Sequence, residues 1–380
     1  MTCFVFHFSV YLYGMKNIYT EVIKIIEGGL KNEPNKVVLY AKKLADKFSE
    51  DGNEQLAKGI RNLLDSKAMT SLTMEDLLTT APVDQESRMS IVDVFNPINE
   101  NFSVVLSEAI ERKVVDFIKV IEHRDKFKQM GLFNQNTLLL YGLPGVGKTT
   151  IAKYIAMKTG MPLVTARLDA VISSLLGNTS KNIRKIFEYA DSKPCILFLD
   201  EFDAIAKARD DQHEMGELKR VINSLLQNID AFAQNNILIA ATNHPELLDK
   251  AIWRRFNTVI EVGQPDAEGV YKLLELYLKD FKNDLAIDKK RYDKIIQLLI
   301  KKSPSDIKNI TQNAITQAVI NGKNAILFDD LLIQIFQFDT RGKFSYEDFI
   351  KFLNDNGVPQ LQIADLLNVS IRQVRNNLKD

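Results

Sequence analysis

The sequence predicts an α/β protein built around a parallel sheet, and three stretches carry that expectation. The run Thr137-Leu138-Leu139-Leu140-Tyr141 enters a glycine-rich loop, Gly142 to Thr149, and helical spacing follows. The run Cys195 to Leu199 is apolar throughout and stops at Asp200 and Glu201. The run Ile237 to Ala241 is apolar too and stops at Thr242 and Asn243. A strand buried on both faces of a parallel sheet reads as a continuous apolar run. Ligands gather at the carboxyl ends of such strands, so the three polar endings are expected to meet at one site.

The loop itself, Gly142-Leu143-Pro144-Gly145-Val146-Gly147-Lys148-Thr149, fits the phosphate-binding pattern G-x-x-x-x-G-K-[ST] at every fixed position. Its glycines let the backbone take conformations closed to other residues, so that N–H groups curl around an anionic phosphate chain. Thr150 opens a helix with Ile151, Tyr154 and Ile155 at helical intervals. That helix turns its free N–H groups and positive dipole end toward the same phosphates. Lys148 supplies a point charge for the β- and γ-phosphates, and the Thr149 hydroxyl is placed to ligate Mg²⁺. Asp200 is the natural second ligand of that ion, and Glu201 is next in line as general base toward a water. Asn243 offers a side-chain amide to hold the water. Arg254 and Arg255 follow closely, and an arginine aimed at a γ-phosphate stabilises the charge that builds in phosphoryl transfer.

At 380 residues the chain is expected to form two to three domains. Lys+Arg and Asp+Glu both number 49, so net charge leaves no footprint for nucleic acid or an acidic surface. Two cysteines, Cys3 and Cys195, suggest no disulfide framework and fit a reducing, cytoplasmic setting. His7, His123, His213 and His244 are scattered without ligand spacing, so no zinc site is expected. No apolar run is long enough to span a bilayer, and no membrane partner is expected. Residues 1–14 are apolar and aromatic without a basic leader segment. A signal peptide, an extra strand and a start codon read too early compete there. The last is favoured because Met15 opens an amphipathic segment.

Residues 15–66 read as an N-terminal helical unit of three apolar stripes, broken at Gly28-Gly29, Pro34 and Asp51-Gly52. Residues 67–101, with Pro82 and Pro97, read as a linker. Helical periodicity covers Ser107 to Phe127, with Ser107 as N-cap. Met161 to Ala166 reads as the strand after the phosphate-loop helix.

With these motifs in order, Phe102 to Asn321 resembles an AAA ATPase. Gly142 to Thr149 resembles the family's Walker A loop, and ILFLDEFDAI at 196–205 its Walker B strand. ILIAATNHPELLDKAIWRRF at 237–256 resembles its second region of homology, and KSPSDI at 302–307 the start of a lid helix. The resemblance implies ATP as ligand, a large α/β domain at 102–262 and a helical lid at 263–335. It implies Asn243 in the first sensor role, and Arg254 and Arg255 as fingers reaching a neighbour's nucleotide in a homo-oligomeric ring, most often a hexamer. The usual proline-glycine spacer between the two arginines is missing, which leaves the main finger open between them. The lid shows no second-sensor arginine, as in the classical branch of the family, and Ser305 or its neighbours fill that place. Leu175, with Leu176 and Gly177, matches the pore loop that grips substrate, where the family carries an aromatic residue. A second pore loop is expected near 208–216.

The C-terminus, residues 340–380, resembles a helix-turn-helix: a helix at Gln360 to Leu367, a turn at Asn368-Val369, and a second helix after Ser370. Arg372, Gln373, Arg375 and Asn376 would face outward, with chemistry suited to bases or phosphates. Basic residues barely outnumber acidic ones there, which favours a protein-binding or lid-packing module equally. Asp339 to Phe349 mimics a calcium loop, but Arg341 stands where an oxygen ligand is needed. Two functions stay open. One is a Mg²⁺-dependent ring ATPase that remodels a protein substrate or serves a partner enzyme such as a protease. The other is an ATP-switched DNA-binding assembly that uses the tail.

Overall fold

The computed structural model describes residues 19–27, 30, 34–63, 81–83, 90–97, 103–130, 136–168, 176–204, 215–233, 236–285 and 288–378. Residues 1–14, on which the reading of an early start rests, lie outside them. So do Leu175 and most of the second pore-loop stretch. Among the described residues, no helix is long and apolar enough to cross a membrane.

The N-terminal unit holds α1 (19–27), α2 (Pro34–Glu50) and α3 (Glu54–Leu63). Ala45 and Ala57 are fully buried, small enough to let α2 and α3 approach closely across the Gly52 turn. Lys47 Nζ reaches Glu21 Oε1 at 2.8 Å and fastens α1 to α2.

The stretch read as a linker contributes a strand, β1 (Val92–Phe95). The rest of the sheet is β2 (Thr137–Tyr141), β3 (Leu163–Arg167), β4 (Ile196–Asp200), β5 (Ile237–Thr242) and β6 (Thr258–Glu261). Strand order is β1-β3-β4-β5-β2-β6. β1 is antiparallel to β3 and the other pairs are parallel. Four residues between prolines are too short a signal to stand out from loop, and β1 is held by its register with β3.

Helices cover both faces of the sheet. Leu139, Leu197, Leu199, Leu238 and Ala240 face one side, with Ile183, Phe187, Leu225 and Ile229 of α7 (Leu176–Asp191) and α8 (Met215–Phe232). Leu138, Leu140, Phe198, Ile237 and Ile239 face the other, with Val114, Phe117, Ile151 and Ile155 of α4 (Glu108–Glu122) and α6 (Lys148–Thr159). This two-sided burial explains the unbroken apolar runs. The helix expected from Ser107 to Phe127 breaks at His123 into α4 and a short α5 (Arg124–Gln129).

After a single turn of α9 (Lys250–Trp253), the lid contributes α10 (Ala267–Leu278), α11 (Lys289–Leu299), α12 (Pro304–Ile320) and α13 (Phe328–Thr340). The tail adds α14 (Tyr346–Asp355), α15 (Gln360–Leu367) and α16 (Ile371–Asn377). Tail and lid share one apolar core that runs from Val270 and Ile310 to Ile350, Ile363 and Val374. Phe336 of α13 sits 5.1 Å from the Phe349 ring and 4.7 Å from Phe352, ring centre to ring centre.

Candidate active site

β5 lies between the phosphate-loop strand β2 and the acid-bearing strand β4. The carboxyl ends of all three open on one place, with the β5 ending in the middle.

Gly142 leaves β2 with φ 148°, and a Cβ there would sit 2.2 Å from the Val262 carbonyl oxygen. Only glycine lets the two backbones pass. Gly145 has φ 78°, and a Cβ there would meet Ser303 Oγ at 2.7 Å. Leu143 and Pro144 are exposed at the loop's crest, while Val146 anchors it in the core below α4 and α6. Gly147 caps α6 in a left-handed conformation; Thr150 lies on the first turn.

The lid meets the loop directly. Ser305 N–H donates to the Gly145 carbonyl at 3.2 Å. Ser303 starts α12 through a capping box with Asp306. The expectation that Ser305 or a neighbour stands where other members carry an arginine therefore meets a contact with the loop.

Lys148 is 8% exposed. Its Nζ donates to the carbonyls of Gly142 and Leu143 at 2.8 and 2.9 Å and to Asn243 Oδ1 at 2.6 Å. Burial pushes the Lys148 ammonium below its usual pKa, and the charges of Asp200 and Asp203 oppose that shift. Thr149 Oγ1 donates to Asp200 Oδ2 at 3.1 Å. These are the paired hard oxygen donors that suit Mg²⁺, so the residues fit the ion. Among the described residues, no group of three His, Cys, Asp or Glu side chains gathers as metal ligands.

Glu201 is exposed and adopts φ 54°. A non-glycine residue in that region carries strain of about 1–2 kcal/mol, the kind that collects at functional sites. The turn is pinned behind it: Phe202 N–H donates to the Ala241 carbonyl at 2.8 Å. Asp203, which the sequence reading passed over, is buried against Thr242 and Asn243.

Beside the loop lies a cavity of about 690 Å³. Val105, Leu106, Leu273 and Tyr277 give it apolar walls, and Gly145 to Gly147 and Ser305 one polar edge. Those apolar residues were also missed. Their spacing marks helix and strand faces, with nothing to separate a pocket wall from core.

Arg254 and Arg255 follow α9, which Asp249 caps by accepting from Ala251 N–H and Ile252 N–H. Neither arginine lines that cavity. Arg255 is tied down: its guanidinium donates to Asp230 Oδ1 and Oδ2 at 2.8 and 2.9 Å and to the Ala251 carbonyl at 2.7 Å. Arg254 is exposed. Leu176 and Gly177 form the start of α7.

In the tail, Asn368 turns left-handed after α15 and Ser370 caps α16. Gln373 Oε1 accepts from Ser370 N–H and Oγ–H at 2.9 Å, which closes a capping box. Arg375 Nε lies 3.4 Å from Gln360 Oε1. Of the four side chains singled out for DNA, Gln373 and Arg375 thus have partners within the tail, while Arg372 and Asn376 are exposed.

A phosphate loop after β2, paired acids at the end of β4 and an amide at the end of the strand between them define a nucleoside-triphosphate hydrolase. A family model described as "ATPase family associated with various cellular activities (AAA)" matches residues 138–264. An uncharacterized AAA family ATPase, y4kL, of Sinorhizobium fredii is 38% identical over 240 residues, which cover 63% of this chain and 73% of that one. A proteasome-activating nucleotidase of Sulfurisphaera tokodaii is 32% identical over 270 residues, 68% of each chain. The ATP-dependent zinc metalloprotease FtsH of Staphylococcus haemolyticus is 34% identical over 255 residues, but the match covers only 33% of that protein. The chain belongs to the AAA family of ATPases, and it hydrolyses ATP with Mg²⁺.

Proposed function

We propose that this ATPase assembles as a homo-oligomeric ring, most simply a hexamer, in the cytoplasm and uses ATP turnover to remodel a protein. One observation carries the reading: relatives that match about two thirds of this chain are named as proteasome-activating nucleotidase and as protease. A partner enzyme such as a protease is the natural recipient of the substrate.

At each site the backbone from Gly142 to Thr150 cradles the phosphates, and Lys148 meets the β- and γ-phosphates. The apolar cavity walls take the base. Thr149 and Asp200 hold the metal ion, which supplies charge neutralisation at the phosphates. Glu201 accepts a proton from the attacking water, and Asn243 orients that water toward the γ-phosphate. ADP and inorganic phosphate leave. Arg254 reaches the nucleotide of the adjacent protomer. Leu175, with Leu176 and Gly177, faces substrate in the pore. Residues 15–66 form the N-terminal unit, and the ATPase and lid units run through 102–262 and 263–335.

The DNA-binding alternative draws less support, because Gln373 caps its own helix and Arg375 has Gln360 beside it.

The test uses Glu201→Gln, which should hold ATP without turning it over. With ATP and Mg²⁺ this variant should sediment as a ring and retain a defined protein that wild type releases on hydrolysis. A monomer under those conditions, or DNA as the retained partner, would overturn the reading.

A further inference from the structure

We infer that Asp203 is a positioning residue for hydrolysis: its carboxylate fixes Asn243 and ties it to the turn that carries Glu201. The inference rests on the reading of Asn243 as the water-orienting side chain.

The geometry starts at the end of β4. Glu201 turns into the left-handed region, and Phe202 N–H bonds to the last turn of backbone on β5, at the Ala241 carbonyl. Two residues past Glu201, Asp203 points into the same strand end and is 3% exposed. A carboxylate so far from water is costly unless donors surround it. Two donors meet its Oδ1, Thr242 Oγ1–H at 3.0 Å and Asn243 N–H at 3.2 Å. Thr242 Oγ1 in turn accepts from His244 N–H at 3.0 Å. The backbone on both sides of Asn243 is therefore held through one carboxylate oxygen. On the other side, the Asn243 side chain accepts from Lys148 Nζ.

The consequence is mechanical. Glu201 and Asp203 share one short turn, so the general base and the anchor of the water-holding amide cannot shift independently. A site of this kind is sensitive to small displacements, since a misplacement of about 1 Å can cost about 10²-fold in rate. A carboxylate that served only to fill space at the strand end would have no reason to bond the backbone of Asn243 in particular. Asp203 is not among the residues lining the cavity and bonds the backbone of Asn243 rather than the phosphate loop, so its loss should fall mainly on turnover, with only a small change in nucleotide affinity through its charge near Lys148.

The experiment uses the full chain and reads kcat, KM and fluorescent-nucleotide affinity for Asn243→Ala, Asp203→Ala, Asp203→Asn and the double alanine variant. Asn243→Ala and Asp203→Ala should each lower kcat about 10- to 100-fold with affinity within about threefold. Asp203→Asn keeps an accepting oxygen and should recover most of the rate. The double variant should be no slower than Asn243→Ala alone, because two residues that act as a unit are not additive. Full kcat in Asp203→Ala, or losses that multiply in the double variant, would overturn the inference. Full kcat in Asn243→Ala would instead remove the underlying reading of Asn243. Should Asp203→Ala fail to fold, Thr242→Val and Thr242→Ser decide: the valine removes one donor and should slow turnover at least about fivefold, while the serine keeps it. Equal rates in that pair would overturn the inference as well.

Discussion

Arg255 and Asp230 are joined in a two-point ion pair, with guanidinium nitrogens 2.8 and 2.9 Å from the two carboxylate oxygens. The pair straps the segment after α9 to the end of α8. It also separates two arginines that the sequence presents as equals, since Arg254, beside it, stays exposed. We therefore expect Arg254 to be the main finger. Arg254→Ala should bind ATP within about twofold of wild type and lose about 10³-fold in kcat, the range seen for arginine fingers. Mixing Arg254→Ala with Lys148→Ala supplies an intact nucleotide site from one protomer and an intact finger from the other. The mixture should regain activity that neither shows alone, and a mixture as inactive as its parts would rule out fingers acting in trans. Asp230→Ala breaks a partly exposed pair worth no more than about 1 kcal/mol, so it should lower the melting temperature slightly and leave ATP affinity unchanged.

Lys148 has no substitute. Among the described residues, its Nζ is the side-chain cation on which the loop carbonyls and Asn243 converge. Lys148→Ala should keep the fold and reduce ATP affinity by at least about 10²-fold, the loss expected when a charge-assisted contact of about 3 kcal/mol disappears. Titration with a fluorescent ATP analogue reads this directly, and unchanged affinity would refute the site.

Two glycines separate fold from lid closure. At Gly142 a methyl would collide with the backbone oxygen of Val262, which cannot swing aside. Gly142→Ala should destabilise the ATPase domain by about 2 kcal/mol or more, seen in its urea midpoint. At Gly145 the obstacle is the Ser303 side chain on the lid. Gly145→Ala should cost less stability, weaken ATP binding, and loosen the Ser305–Gly145 bond in hydrogen exchange.

Alkaline pH should unfold the protein through two groups buried on one sheet face. Burial pushes the Cys195 thiol up to about 12 and the Tyr189 hydroxyl up to about 12. Both are neutral when protonated, and both ionise more easily in the unfolded chain. Their protonated forms therefore favour the folded state at neutral pH, and that contribution fades as pH rises from about 9 toward 12. The denaturation midpoint should fall over this window, and Cys195→Ala should flatten the fall. A midpoint flat to pH 12 would contradict the burial of both groups.

Much of this architecture was legible because each central strand is a continuous apolar run with a polar ending. Glycine spacing marked the loop, and the order of motifs marked Asp200, Glu201 and Asn243. What stayed hidden depends on contacts between distant residues. Asp203 reads as one more acid after Glu201 until β5 is laid beside β4. Asp230 is separated from Arg255 by a strand and a helix, and no local pattern joins them. β1 has four residues, and its place is decided by β3. Val105 and Tyr277 look like ordinary apolar positions until the lid closes a cavity between them.

The tail shows the same dependence and leads to a further expectation. Residues 340–380 read as a separate module, yet Phe336 inserts its ring among Phe344, Phe349 and Phe352, and Ile350, Leu353 and Val374 are as deeply buried as the lid's own core. Phe336→Ala removes a half-stacked, half-tilted aromatic centre whose loss costs about 3–5 kcal/mol in a packed core. If lid and tail are one cooperative unit, this variant should lower the protection of α10, α12, α14 and α16 together in hydrogen exchange, and raise KM for ATP because α12 carries Ser303 and Ser305 to the loop. Loss of protection confined to α14 to α16, with KM unchanged, would make the tail an appendage that can be removed without touching ATP hydrolysis.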